Sequence, residues 1–151
     1  MLIETLKKIY VRDLEKLKLE ISSYKNERKI WHIENQILNS AGNLCLHLVG
    51  NMNTYIGAVL GQSGYVRNRD LEFSLKDIPR QELIKKVADT ISVVEKTMDR
   101  VKEEQLNEEY PLLVFKEKTS TEYMLVHLAV HLNYHLGQVN YHRRLLDDDA
   151  T

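Results

Sequence analysis

Residues 127–138, HLAVHLNYHLGQ, organise the chain, because three histidines recur within them at intervals of four. On an α-helix, residues four apart lie on the same face, with their Cβ atoms about 5–6 Å apart. His127, His131 and His135 therefore form one column along a helix. A histidine pair at this spacing allows one helix to present two imidazole nitrogens to a single divalent ion.

The composition is that of a globular protein rich in helix. The chain has 151 residues, of which 43% are hydrophobic and 28% are charged. Two prolines and six glycines are few breakers for this length, which favours long helices. We expect one domain over residues 1–146, followed by a short acidic tail at 147–151 that is frayed and exposed.

The charge balance excludes some classes of partner. With 21 basic and 22 acidic residues the net charge is -1, which argues against a nucleic-acid-binding protein. No apolar run approaches the roughly 20 residues that span a bilayer, and the charged first residues do not resemble a signal peptide. The lone Cys45 is predicted to be a small buried hydrophobe without a disulfide partner, and we expect a cytoplasmic location.

Apolar residues that recur every three or four positions predict four helices. Ser40 is the expected N-cap of the second helix, and Pro79 suits the first turn of the third. Thr119 and Glu122 have the spacing of a capping box at the start of the last. The predicted helices cover residues 2–24, 41–60, 79–105 and 119–146. Helices of this length predict an all-α protein, an antiparallel four-helix bundle.

The second helix carries a polar stripe, Asn43, His47 and Asn51, on an otherwise apolar surface. Buried polar groups need partners, so this stripe is expected to face the histidine column. His47 with His131 and His135 would supply three neutral nitrogen ligands, a set that suits Zn(II) or Ni(II). Three protein ligands leave an open position, as in catalytic zinc sites, where the ion can activate a water or a bound thiol.

Two alternatives remain open for the histidine column. His127 could replace His135 as the partner of His131, or it could form hydrogen bonds one turn before the site. The histidines could also be core residues that hold no ion and are hydrogen-bonded to polar neighbours. Equal thermal stability with and without a chelator would favour this second alternative.

Other polar residues have weaker assignments. Gln138 and Asn51 are candidate hydrogen-bond partners of ligating imidazoles. Gln138 and His142 continue the column, but His142 and His32 are predicted to lie at the surface, although His32 could approach the site from its loop. Trp31, in the connection 25–39, is predicted to pack onto the end of the bundle.

The connection 61–78 contains Arg67, Arg69 and Asp70. These residues are expected to be solvated or paired with one another; if the loop instead folds over a cavity, its arginines could bind an anionic group. No carboxylate falls in either polar stripe, and capping explains Glu34 and Glu122. The sequence therefore predicts no general base besides metal-bound water or a histidine.

Three stretches resemble the DinB-like superfamily. Residues 131–138, HLNYHLGQ, are similar to its HxxxHxGQ signature, and residues 40–51, SAGNLCLHLVGN, resemble its second helix with one ligand histidine. Residues 64–73, GYVRNRDLEF, resemble one branch of small bacterial proteins in that superfamily. Leu136 departs from the pattern, because an arginine often follows the second histidine of the signature.

The resemblance implies a variant of the up-and-down four-helix bundle, which in that superfamily is often a homodimer. It also implies a divalent ion held by His47, His131 and His135. Related members transfer low-molecular-weight thiols such as bacillithiol, or isomerise maleylpyruvate with mycothiol. The leading hypothesis is a metal-dependent enzyme, with thiol S-transfer as its reaction. The alternative is a non-catalytic, metal-stabilised bundle with a structural or interaction role.

Overall fold

The computed structural model describes residues 1–147, which form five α-helices and no strand. The predicted all-α class is confirmed. None of the helices in this range is both long enough and apolar enough to cross a membrane. The helices are α1 (Leu2–Ser22), α2 (Ala41–Met52), α3 (Arg69–Ser74), α4 (Arg80–Met98) and α5 (Thr121–Leu146).

The four long helices form a bundle around one apolar core. Both α1 and α2 pack against α4 and α5, so that α1 lies diagonally across from α2. Each long helix contributes a buried stripe, represented by Leu14, Leu48, Leu83 and Leu132, all fully buried. Burying one such side chain contributes about 1.5–3 kcal/mol, so these stripes hold the helices together.

Two neighbouring pairs in the bundle are parallel and two are antiparallel. Lys7 at the start of α1 binds Asp99 just after α4, so α1 and α4 run in opposite directions. Glu20 near the end of α1 binds Arg143 near the end of α5, so α1 and α5 are parallel. Likewise α2 and α4 are parallel, and α2 and α5 are antiparallel. Two helices therefore run in each direction.

The parallel arrangement of α2 and α4 forces a crossover between them. To begin α4 parallel to α2, the chain must first run back along the length of α2. The short helix α3 lies in this returning segment and packs against α2. The amide of Asn43 donates to the carbonyls of Glu72 and Leu75, both at 2.9 Å. Six residues are too few to show helical periodicity, so the sequence predicted only a connection here.

Several helix ends differ from the prediction. The first helix ends at Ser22, and the third ends at Met98 before a separate 3-10 turn, Glu103–Asn107. The second changes after Met52 into a π-helical stretch, Asn53–Ala58. Periodicity alone did not distinguish these irregular turns from continuous helix.

The predicted caps have mixed outcomes. Ser40 is the N-cap of α2 as expected, since its hydroxyl accepts from the Asn43 N–H at 3.1 Å. Pro79 occupies the N-cap position of α4 rather than its first turn. The capping box at Thr119 is wrong, because Ser120 caps α5 and accepts from the Tyr123 N–H at 3.1 Å.

The connection 25–39 covers one end of the bundle, as predicted for Trp31. The indole lies so close to α2 that a Cβ on Gly42 would fall 2.6 Å from it. Asp147, expected to be frayed, instead accepts from the backbone N–H groups of Lys25 and Asn26 at 2.7 and 3.1 Å. The remainder of the predicted tail, 148–151, lies outside the described residues.

Candidate metal centre

The histidines predicted to share an ion do meet. His47 from α2 lies opposite His131 and His135 on α5, with one nitrogen of each ring within 4.8 Å of the others. The Nε2 atoms of His47 and His131 are 3.2 Å apart. Zn–N bonds of about 2.0–2.1 Å place two tetrahedral ligands about 3.3 Å apart, so this spacing suits one shared ion.

Hydrogen bonds orient two of these rings. His47 donates from Nδ1 to Glu72 Oε1 at 3.0 Å, and His135 donates from Nδ1 to Gln138 Oε1 at 2.7 Å. In a neutral imidazole the other nitrogen then carries the lone pair, so Nε2 of each ring is the available ligand atom. Gln138 is therefore a partner of a candidate ligand, as the sequence suggested.

His131 faces His47 through Nε2, which is its candidate ligand atom, and its Nδ1 makes no hydrogen bond within residues 1–147. This Nδ1 is buried, and buried polar atoms are normally paired. Burial, reinforced by the neighbouring His135 and His47, lowers the pKa of His131 to about 4. Burial also lowers the pKa of His47, against the opposing effect of Glu72. Neutral imidazoles are the form that binds metals, so the residues fit an ion.

Glu72 is the site residue that the sequence analysis missed. It is buried on α3, where it bonds His47 and forms a double ion pair with Arg67, Nε to Oε2 at 2.8 Å and Nη2 to Oε1 at 2.9 Å. No carboxylate falls in either polar stripe, as expected, but the crossover brings the Glu72 carboxylate to His47, so the inference that the site offers only histidines and metal-bound water is wrong. A lone glutamate between Leu71 and Phe73 was the only signal.

The backbone of α2 leaves room for this carboxylate at Gly50. A Cβ at that position would lie 1.9 Å from Glu72 Oε2, so any side chain there would displace the carboxylate. Gly50 lies one turn after His47, on the same side of α2. The crossover can therefore place Glu72 against His47 only because residue 50 is glycine.

The crossover loop lies over a cavity beside the cluster. Its volume is about 220 Å³, and Arg67 and Arg69 are among its lining residues. Asn51, expected to bind an imidazole, instead lines the cavity with an Oδ1 that is buried and unpartnered within the described range. We call this space the arginine cavity; its other lining residues are His47, Tyr55, Val114, Met124, His127, Leu128 and His131.

Comparison with known protein families shows the family to which the chain belongs. The family model DUF1572, described as a protein of unknown function, matches residues 3–151. This chain belongs to the DUF1572 family. No curated protein matches it. A similar solved structure, described as the conserved protein of locus from Enterococcus faecalis, superposes with a TM-score of 0.76 at 16% identity over 95% of each chain. That similarity establishes the fold alone.

The remaining histidines of this DUF1572 member lie outside the cluster. His127 packs edge-on against Phe115 at 4.8 Å and is stacked with His131 at 6.1 Å, so it lines the arginine cavity instead of replacing His135. The His32 imidazole is partly exposed and lies 3.4 Å from Glu34, away from the site.

His142 was predicted at the surface, but this prediction is wrong, since the side chain is only 4% exposed. The Tyr24 hydroxyl donates to its Nδ1 at 2.6 Å, and its Nε2–H donates to the His32 carbonyl at 2.8 Å. The connection 25–39 folds over this part of α5, which the sequence pattern could not indicate.

Cys45 is buried as expected, and burial raises the pKa of its thiol to about 12.

Proposed function

We propose that this DUF1572 chain is a DinB-like, divalent-metal-binding protein whose ion is held by His47, His131 and His135. One observation carries the proposal: one nitrogen of each ring lies within 4.8 Å of the others, and the Nδ1 hydrogen bonds of His47 and His135 leave Nε2 of both rings as the available ligand atom. An all-nitrogen donor set suits Zn(II) or Ni(II).

The reaction we propose is metal-dependent thiol S-transfer. A divalent ion bound with an open position lowers the pKa of a coordinated water or thiol. The arginine cavity is lined by His47 and His131 and has a volume of about 220 Å³. The charge of Arg67 is paired with Glu72, so Arg69 supplies the positive charge of that cavity, which favours a low-molecular-weight thiol with an anionic group.

The chain's own residues hold the site in place. Glu72 accepts the Nδ1 proton of His47, and Gln138 accepts that of His135, which fixes both ring orientations. Arg67 binds both oxygens of Glu72 and holds this carboxylate in position. Carboxylate and amide partners of this kind make the imidazoles better ligands.

A non-catalytic role is the second candidate, and the position of the cluster favours it. His47 and His131 are 84 positions apart in sequence, so an ion shared by them would join α2 to α5 and stabilise the bundle. The two candidates differ in whether a metal-loaded protein turns over thiols, and in whether the ion keeps an exchangeable water.

We further propose one domain over residues 1–146, a cytoplasmic location and a homodimer. Support for the dimer comes from α5, where Val130, Tyr134 and Tyr141 are exposed on one side. These positions follow helical spacing, and exposed apolar stripes often mark interfaces. Sedimentation equilibrium of the wild-type chain and a Tyr134→Glu variant tests this, with a monomeric wild type as the contrary result.

The decisive experiment is elemental analysis of the purified, tag-free protein. We expect about one equivalent of zinc or nickel per chain, lost in a His47→Ala/His135→Ala double variant. A His32→Ala variant is the matched control, because its imidazole lies away from the cluster. Metal-loaded wild type is then assayed with thiols and a panel of electrophiles. Absence of metal after reloading would overturn metal binding, and absence of turnover would favour the structural role.

A further inference from the structure

A second cavity lies at the other end of the histidine column. Its volume is about 420 Å³, and it opens between the connection 25–39, the first turn of α2 and the last turns of α5. We call it the distal cavity, and its lining residues are Gln36, Ile37, Leu38, Asn39, Leu44, Gln138, Tyr141, His142 and Leu145.

The lining of the distal cavity carries no charged side chain. His142 is its one titratable group near neutral pH; both of its ring nitrogens are bonded within the protein, and burial lowers its pKa, so the ring is neutral. The arginine cavity, in contrast, contains Arg69 as well as Arg67, whose charge is paired with Glu72. The two spaces therefore favour ligands of different charge, since a charged group in an apolar cavity needs a partner.

The walls of the distal cavity are suited to an apolar body with a few polar atoms. Ile37, Leu44 and Leu145 supply apolar surface, and Leu38 and Leu145 are 83% and 67% exposed. Gln36, Asn39 and Gln138 add amide side chains to the lining, and Gln138 offers only its NH2 group, since its Oε1 accepts from His135. Mostly apolar walls with a small number of polar groups are typical of small-molecule sites.

Gln138 connects the distal cavity to the candidate metal centre. Its side chain lines the cavity, and its Oε1 accepts from His135 Nδ1 at 2.7 Å. His131, Gln138 and His142 lie on one face of α5, so the cluster stands between the two cavities. The arginine cavity is lined by His47 and His131, whereas the distal cavity meets the cluster through Gln138.

We propose that the distal cavity binds an uncharged, mainly apolar small molecule. This binding does not rest on the proposed thiol S-transfer.

The test uses N-phenyl-1-naphthylamine, an uncharged apolar fluorophore, titrated with the full chain. We expect saturable binding that Leu145→Glu weakens by about tenfold or more, because it adds a carboxylate to the cavity. Leu19→Glu is the matched control, since Leu19 is 65% exposed on α1, close to the 67% of Leu145. Equal weakening in both variants, or no saturable binding, would overturn the proposal.

A competition experiment tests the predicted charge preference. Uncharged naphthalene should displace the fluorophore from wild-type protein, and naphthalene-2-sulfonate, of similar shape, should not. Equal displacement by the sulfonate contradicts an uncharged ligand class. A Leu145→Glu variant that loses dimerisation but binds the fluorophore normally would likewise overturn the proposal, because it assigns this surface to an interface.

Repeating the titration with His47→Ala separates this proposal from the proposed function. His47 does not line the distal cavity, so fluorophore binding should be unchanged while metal content falls. Fluorophore binding that depends on Leu145, in a protein that takes up no metal, supports the cavity and refutes the metal centre. Metal uptake without fluorophore binding supports the metal centre and refutes the distal cavity as a binding site.

Discussion

Two histidines on the same face of α5 differ in how their nitrogens are satisfied. His142 has a protein partner on each side, the Tyr24 hydroxyl and the His32 carbonyl. His131, in contrast, has a buried Nδ1 with no partner among residues 1–147, and its Nε2 faces another histidine. Both belong to one helical column, so spacing does not distinguish them. The protein uses both nitrogens of His142, which makes that residue structural, whereas Nε2 of His131 faces Nε2 of His47 and is the atom that could bind a shared ion.

The largest expected effect is metal-dependent stability that requires His131 and not His142. Zinc at a thousandfold excess over its Kd would stabilise the fold by about 4 kcal/mol, which raises Tm by about 10 °C in a chain of this size. We expect His131→Ala to lose this increment and His142→Gln to keep it. Thermal unfolding with zinc and with EDTA measures both, and an equal increment in the two variants would refute the distinction.

The next effect concerns Glu72, whose carboxylate bonds the candidate ligand His47. Glu72→Ala should weaken zinc binding by about 10–100-fold, because His47 loses the acceptor that orients it. Glu20→Ala is the matched control, since Glu20 also accepts from an arginine and bonds a neutral side chain, Asn140, but far from the cluster. Competition with a chromophoric chelator gives both affinities. Similar losses in the two variants would mean that Glu72 acts through general stability.

Substitutions at two glycines test how tightly Glu72 packs against α2, with Gly50 at the contact and Gly137 as the control. Gly50→Ala would place a Cβ 1.9 Å from Glu72 Oε2, so we expect a loss of about 1–3 kcal/mol in unfolding free energy together with weaker zinc binding. At Gly137 a Cβ meets nothing within 4 Å, so Gly137→Ala should stabilise the helix by up to about 1 kcal/mol. Urea unfolding of the chelator-treated proteins measures both. A neutral Gly50→Ala would contradict the tight placement of Glu72.

The smallest effect is the pH dependence contributed by His142. Burial lowers its pKa, against the hydrogen bond to His32 and the charge of Asp147. The unfolded chain therefore takes up a proton first, and the stability from neutral His142 is complete above its ordinary pKa of about 6.5 and is lost as pH falls towards the folded value. In EDTA, we expect His142→Gln to reduce the decline in urea stability between pH 7 and 5. An unchanged decline would exclude His142 as its source.

Local sequence signals predicted which histidines come together, but not the residues that surround them. His47, His131 and His135 were identified because helical spacing acts within one or two turns, and Ser40 was identified because a cap bonds its own helix. The same reasoning placed His142 at the surface, since periodicity does not say which loop covers a helix. It also left Glu72 unrecognised, because α3 is too short to show a pattern.

The sequence by itself determined the all-α class, the histidine column and the polar stripe that contains His47, because these depend on residues a few positions apart. Only the tertiary structure decided that α2 and α4 are parallel neighbours. That arrangement requires a crossover, and the crossover brings Arg67 and Glu72 onto His47 where Gly50 leaves space. The contacts that distinguish a candidate ligand from a structural histidine are long-range, and so they exist only once the helices have packed.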